Sequence, residues 1–198
     1  TILGDRLEVT RAVDSGPGKA LINEAISPSS NRKKTYDKRG AAAKRGTLNK
    51  DLVRELLSHS YFRRRAPKST GREHFGSRMA EDIIARCHDL PQEDILSTLT
   101  HLTATTIVKS IAAYKPVQLI AAGGGSKILF LMGILRELLL SKGVELRNVG
   151  EYGIDAEARE AVCFAILGMR TLKRMPGNLP SATGAARQVI LGSISLPG

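Results

Sequence analysis

No apolar run in this sequence is long enough to cross a bilayer. The greasiest stretch, Ile128 to Leu140, is broken by Gly133, Arg136 and Glu137, whereas a spanning helix needs about 20 nearly uninterrupted apolar residues. Cysteine is almost missing: Cys87 and Cys163 are the whole complement of the 198 residues. Two thiols do not make a disulfide framework, and both are expected to be reduced. The opening "TILGDRLEVT" has no signal-peptide layout and no initiating Met, which reads as a truncated cytoplasmic chain. Neither a nucleophile elbow nor a Walker-type lysine motif occurs. His59, His74, His88 and His101 lack metal-ligand spacing, so no metal site is expected within the chain.

Acids are scarce in one segment. Residues 32–78 hold half of the 30 lysines and arginines but only Asp37, Asp51, Glu55 and Glu73, so this segment carries the whole formal charge of +11. Its few aromatics are Tyr36, Tyr61, Phe62 and Phe75. With no reading helix or aromatic platform among them, the expectation is a solvated basic face and no nucleic-acid partner.

What is present reads as an α/β chain. "RLEVTRAVD" alternates as a strand would, and "DSGPGKALINEAI" turns through glycines into a short helix. "NKDLVRELLSHSYF" places Leu52, Val53, Leu56 and Leu57 on one helical face. "PQEDILSTLTHLTATTIVKSIAAY" opens with Pro91 and two acids and continues as a long helix. "PVQLIAAGGG" is a strand ending in three glycines. The helix "SKILFLMGILRELLLSKG" is apolar nearly all round, hence expected to be buried, and stops at Gly143. "VELRNV" is the next strand, "DAEAREAVCFAILGMRTLKRM" a further helix with Asp155 as N-cap, and "RQVILGSI" a last strand. The order predicts a mixed sheet covered by helices, with the basic loop and its helices inserted.

Three stretches carry candidate chemistry. Gly123, Gly124 and Gly125 end a strand where a helix begins, which either lets an anionic ligand approach the backbone or makes a tight turn. In "DSGPGK", Asp14, Gly16 and Gly18 face a phosphate or its metal, or Asp14 simply caps the helix. Lys68, Ser69, Thr70, Gly71, Arg72 and Glu73 set two cations beside short-range donors, an anion loop or a salt-bridged turn. Glu160 lies in the first turns of a helix that follows a strand.

Taken in order, "DSGPGKALI", "YDKRGA", "YFRRRAPKSTGREHF", "GGG", "EYGIDAEAREAVCFA" and "PGNLPSATGA" resemble the anhydro-N-acetylmuramic acid kinases over essentially the whole chain. The resemblance implies the actin-like ATPase fold, two ribonuclease-H-like lobes around an ATP cleft. It implies use of ATP and magnesium to open the 1,6-anhydro ring of the sugar with water and to phosphorylate O6. It makes Gly123–Gly125 the adenosine-side turn, Asp14, Gly16 and Gly18 a phosphate-side loop, Lys68–Glu73 a signature loop near the cleft, and Glu160 a carboxylate beside the sugar. The family's phosphate loop and general base do not occur in residues 1–198. The expectation is therefore a single partial C-terminal lobe with no catalytic base of its own, inactive when isolated. Its partners would be ATP, the anhydro amino sugar and either the N-terminal half or a second copy. Lys19 stands where the family usually has Asn, Arg39 and Ala42 where Asp and Trp are usual, and Ile128 where an amide side chain is. A noncatalytic module derived from a kinase lobe is the alternative reading.

Overall fold

The computed structural model of the chain describes residues 1–26, 36–156 and 158–195. Its centre is the long helix α7, Gln92–Ala112, which starts behind Pro91 with Glu93 and Asp94 in the first turn. Around it stand α1 (Gly18–Ile26), α2 (Ala41–Arg45), α3 (Lys50–Leu57) and α8 (Leu129–Leu140). The short helices α4 (Ser60–Arg63) and α5 (Arg72–Phe75) lead into α6 (Ser77–Arg86), which packs on α1.

The threonines of α7 explain how one helix accepts neighbours on so many sides. Thr98, Thr100 and Thr103 each donate to the carbonyl four residues back, at 2.7, 2.7 and 3.0 Å. A hydroxyl satisfied in this way is buried at little cost, and its small side chain lets another backbone come close. Thr98 also accepts the Asn49 amide at 3.0 Å, and Thr103 lies 3.0 Å from the Gly18 carbonyl. Two apolar clusters sit along α7. One gathers Leu21, Ile22, Leu52, Leu56 and Ile83 around Leu99; the other gathers Leu131, Leu135 and Leu139 around Val108.

The sheet is small. Among the described residues two strands pair in parallel, β1 (Gln118–Ala121) and β2 (Glu145–Asn148), in the register Gln118↔Glu145 to Ala121↔Asn148. Helix α8 joins them. After β2 come α9 (Arg159–Leu172) and α10 (Pro180–Thr183). No described helix is long and apolar enough to cross a membrane.

Several expectations hold. Leu52 and Leu56 of α3 are buried and Val53 and Leu57 partly buried on the face that the spacing required, and Asn49, which no expectation named, caps the helix through the amides of Asp51 and Leu52. Gly143, at φ +68°, ends the α8 turn. Asp155 accepts the Ala158 amide but is not the expected N-cap, because α9 starts only at Arg159 and its cap is Ala158. Others are corrected. Residues 6–14 are not a strand: Leu7–Val9 wind as a 3-10 turn, and only Ile2 and Arg11 bridge. "RQVILGSI" is not one either, because its Val189 pairs back to Gly177 and Asn178 instead of to a strand. Alternation makes a strand only where a neighbour completes the ladder. Helix α8 buries one side, with Leu129 and Leu140 exposed. Most of the basic loop, residues 27–35, lies outside the described residues. At its end the Asp37 carboxylate accepts the amides of Ala42 and Ala43, both at 2.9 Å, and so caps α2.

Candidate functional site

Asp14 is the meeting point of the second and third candidate stretches. Its amide donates to the Lys68 carbonyl at 3.1 Å, and its Oδ2 accepts the Thr70 amide at 2.9 Å. Its carbonyl accepts the Tyr61 hydroxyl at 2.5 Å. It therefore ties two distant segments together and does not cap α1. Tyr61 is fully buried among Phe62 and Phe75, edge-on to the latter at 5.3 Å. Burial first, then the Asp14 charge, raise its phenol above the ordinary value, against a pull from Arg64. The proton stays on and the bond to Asp14 is kept.

Lys68 is held by the same tyrosine. Its ammonium sits 4.5 Å from the Tyr61 ring centre and donates to the Tyr61 carbonyl at 3.3 Å. Burial, then Arg64, lower its pKa from the usual lysine value.

Above this frame opens a cleft of about 550 Å³, lined by Asp14, Lys68, Ser69, Thr183 and Gly184 among others. Three stretches far apart in sequence, "DSGPG", "PKSTG" and "PSATG", converge on it. Gly16 and Gly18 do not line it. A Cβ on Gly16 would meet Phe62 at 2.9 Å, and the carbonyl of Gly18, at φ +55°, lies 3.0 Å from the Thr103 hydroxyl of α7.

The remaining predicted residues divide. Arg72 and Glu73 begin α5 and face a second cleft, about 520 Å³, with His59, Arg78 and Arg86. The signature run is thus loop through Gly71 and helix from Arg72, and it serves two clefts. Glu73 accepts the Gly71 amide at 2.7 Å and pairs with His74 at 3.2 Å. At the triple glycine, a Cβ on Gly123 or Gly125 would meet nothing within 4 Å, whereas one on Gly124 would occupy the place of the Lys19 ammonium. Lys19 stands one residue into α1, so this contact brings the two glycine turns side by side. The turn runs into α8, whose N-terminus has no side-chain cap. Glu160 is exposed on α9 and lines none of these clefts. Sequence reasoning missed Tyr61, whose only local signal is an aromatic inside a basic stretch, and the part of Thr183 and Gly184 in the cleft.

The family model described as "Anhydro-N-acetylmuramic acid kinase" matches residues 5–197. The chain belongs to the anhydro-N-acetylmuramic acid kinase family. A relative of that name from Francisella tularensis subsp. novicida is 40% identical over 189 residues, covering 93% of this chain and 48% of the relative. One from Clostridioides difficile is 38% identical over 93% of this chain and 48% of its own length. One from Caldanaerobacter subterraneus subsp. tengcongensis is 34% identical over 98% and 50%. The chain spans about half the length of the curated relatives it matches. Four of the six motifs quoted for the family thus meet at the cleft around Asp14 or at the Lys19–Gly124 contact.

The bond from Gly71 to Glu73 gives a direct pH test in this family member. Glu73's own amide, then the His74 side chain, then the Gly71 amide favour its ionised form and hold its pKa below the ordinary glutamate value. A carboxylate depressed in this way stabilises the fold above its unfolded pKa, and the contribution is lost as pH falls through the folded one. In proton–nitrogen NMR the Gly71 amide should titrate with a midpoint below that of a free glutamate, and Glu73→Gln should flatten the curve. A midpoint at or above the free value would contradict the contact.

Proposed function

We propose that this chain forms the C-terminal lobe, of the actin-like ATPase type, of an ATP-dependent kinase acting on anhydro-N-acetylmuramic acid. The reaction is ring opening by water with transfer of the terminal phosphoryl group of ATP to O6, in the cytoplasm. The observation that carries the reading is the convergence of three separate family segments on the cleft around Asp14, in a chain that belongs to the family over nearly its whole length.

The residues at the glycine turn fit a nucleotide. Gly123 and Gly125 leave their backbone open, the uncapped start of α8 offers free amides, and Lys19 adds a positive charge. Asp14 keeps one carboxylate oxygen, Oδ1, outside its bond to Thr70. Magnesium fits less directly: among the described residues no group of three His, Cys, Asp or Glu could hold a metal ion. The ion would be held by the nucleotide's phosphates and by groups outside this chain, and would supply positive charge to offset that of the phosphates. This chain's own residues orient the adenosine side and, through Glu160, one face of the sugar. A noncatalytic module is the second reading, favoured by Glu160 lining neither cleft.

The test is ADP release with anhydro-N-acetylmuramic acid by the chain joined with the half of a relative that it does not span, comparing wild type with Glu160→Gln. Losing one group that strengthens its hold in the transition state should lower kcat by roughly tenfold or more while the KM for ATP stays within about twofold. An unchanged kcat would remove Glu160 from the sugar site. A folded pair that never turns over would favour the module.

A further inference from the structure

The C-terminal ends of two helices leave a hollow between them. Helices α7 and α8 both finish beside the starts of β1 and β2, and there lies a cavity of about 310 Å³. It shares no lining residue with either cleft. Gly123–Gly125 follow the other end of β1, and the 12 residues of α8 set the two places roughly 18 Å apart. The hollow therefore belongs neither to the glycine turn nor to the cleft around Asp14.

Its floor is apolar. Val108 and Ile111 of α7 and Leu139 of α8 are at most 9% exposed, and Val144 packs on the same cluster. Its rim is cationic. Lys115 and Lys142, one from each link between helix and strand, line the hollow, and no Asp or Glu does. Small-molecule sites combine an apolar body with a few polar groups that fix orientation, and about 310 Å³ stands at the lower end of their size range.

Helix ends account for part of the rim's charge. Each carbonyl end carries about −0.5 of a charge, so two ends set about −1 against the +2 of the two lysines. One positive charge is left over. Lys115 also stands at φ +46°, in the left-handed region, although Pro116 behind it favours an extended backbone. Glycine would sit there with less strain. Strain of this sort collects at ligand clamps.

We propose that this hollow binds a small apolar monocarboxylate, its hydrocarbon tail on Val108, Ile111 and Leu139 and its carboxylate between the Lys115 and Lys142 ammonium groups. The ligand carries one negative charge because one positive charge is unmatched. Its far end is apolar because an ionised group on that floor would be buried without a partner. The site stands whether or not the kinase reading holds.

The experiment titrates octanoate into the chain while carbon–proton NMR follows the Ile, Leu and Val methyl groups. Octanol has the same tail without the charge, and octanedioate carries a second carboxylate at the far end. Octanoate should shift the Val108, Ile111 and Leu139 methyl signals saturably, and both comparison compounds should bind at least about tenfold more weakly. Lys115→Gln together with Lys142→Gln should bring octanoate down to the level of octanol. Lys109→Gln, a cation of α7 outside the lining, should change nothing. Lys115→Gly should weaken octanoate binding and leave Tm equal or higher, a combination that a merely structural lysine would not give. Excess ATP should not displace octanoate. Shifts at the exposed Leu172 of α9 in place of the hollow would overturn the proposal. So would equal affinity for octanol, full affinity in the double variant, or displacement by ATP.

Discussion

Gly124→Val should leave the chain folded and weaken ATP binding at least about tenfold in the complete pair. The flanking glycines are open, but the middle one has the Lys19 ammonium where its side chain would be. Lys19 ends in a flexible chain, so the ammonium moves aside at small cost and the fold survives. What is lost is the close approach of a ligand to the turn, together with a lysine placed to meet an anion. A tenfold loss corresponds to about 1.4 kcal/mol, a small demand on one lost contact of this kind. Gly133→Ala is the control, since nothing lies within 4 Å of its added Cβ and it stands inside α8. It should gain up to about 1 kcal/mol of stability from helix propensity and leave ATP binding unchanged. Calorimetric titration of ATP into the three proteins decides the matter. Equal affinity for Gly124→Val and wild type would place the nucleotide elsewhere.

Gly46→Ala should destabilise the chain by about 1–3 kcal/mol, lowering Tm by roughly 2–12 °C. Its backbone, at φ −81°, suits any residue, so conformational freedom is not the cause. A Cβ there would collide with the Glu93 carbonyl and sit 2.6 Å from the Asp94 amide at the start of α7. The segment has no slack with which to yield. Arg45 pairs with Glu93 at 3.1 Å, the Thr47 amide donates to Asp94 at 2.7 Å, and the Asn49 amide donates to Thr98 at 3.0 Å. Any shift that relieves the methyl loosens these bonds as well. Urea unfolding followed by circular dichroism measures the loss, and an unchanged midpoint would show that α2 does not approach α7 so closely.

Some of this was legible in the sequence and some was not, for reasons that individual elements make plain. Helix α7 announced itself because Pro91, two acids and a regular apolar spacing agree. Strand β1 was readable as an apolar run before a glycine turn, and β2 from its place after the helix that follows. The alternation at residues 6–14 was equally good as a pattern, yet a strand is a property of a pair, and beyond the single Ile2–Arg11 bridge no ladder forms beside it among the described residues. Helix α6 was missed although Ala80 and Ile83 are buried at helical spacing, because charges and Gly76 obscure its start. The candidate cleft was the least legible part. Asp14 and Thr70 are 56 residues apart, and no local pattern joins them; the buried Tyr61 holds them together from below. The resemblance to the family named the segments, but not the divergence of Lys68 and Arg72 into separate clefts, which follows from α5 starting at Arg72.

The central claim is that this chain is half of a kinase cleft and needs the other half for chemistry. A transferred phosphoryl group needs aligned donors and charge on both sides, and an attacking water needs a base, so half a cleft loses the reaction and not merely part of its rate. The most direct measurement is ADP release from ATP with anhydro-N-acetylmuramic acid, run on the 198-residue chain alone and on the chain joined to the remaining half of a relative. The account predicts no turnover above the uncatalysed rate for the chain alone and sugar-dependent ADP release from the pair. Sugar-dependent turnover by the chain alone would contradict it.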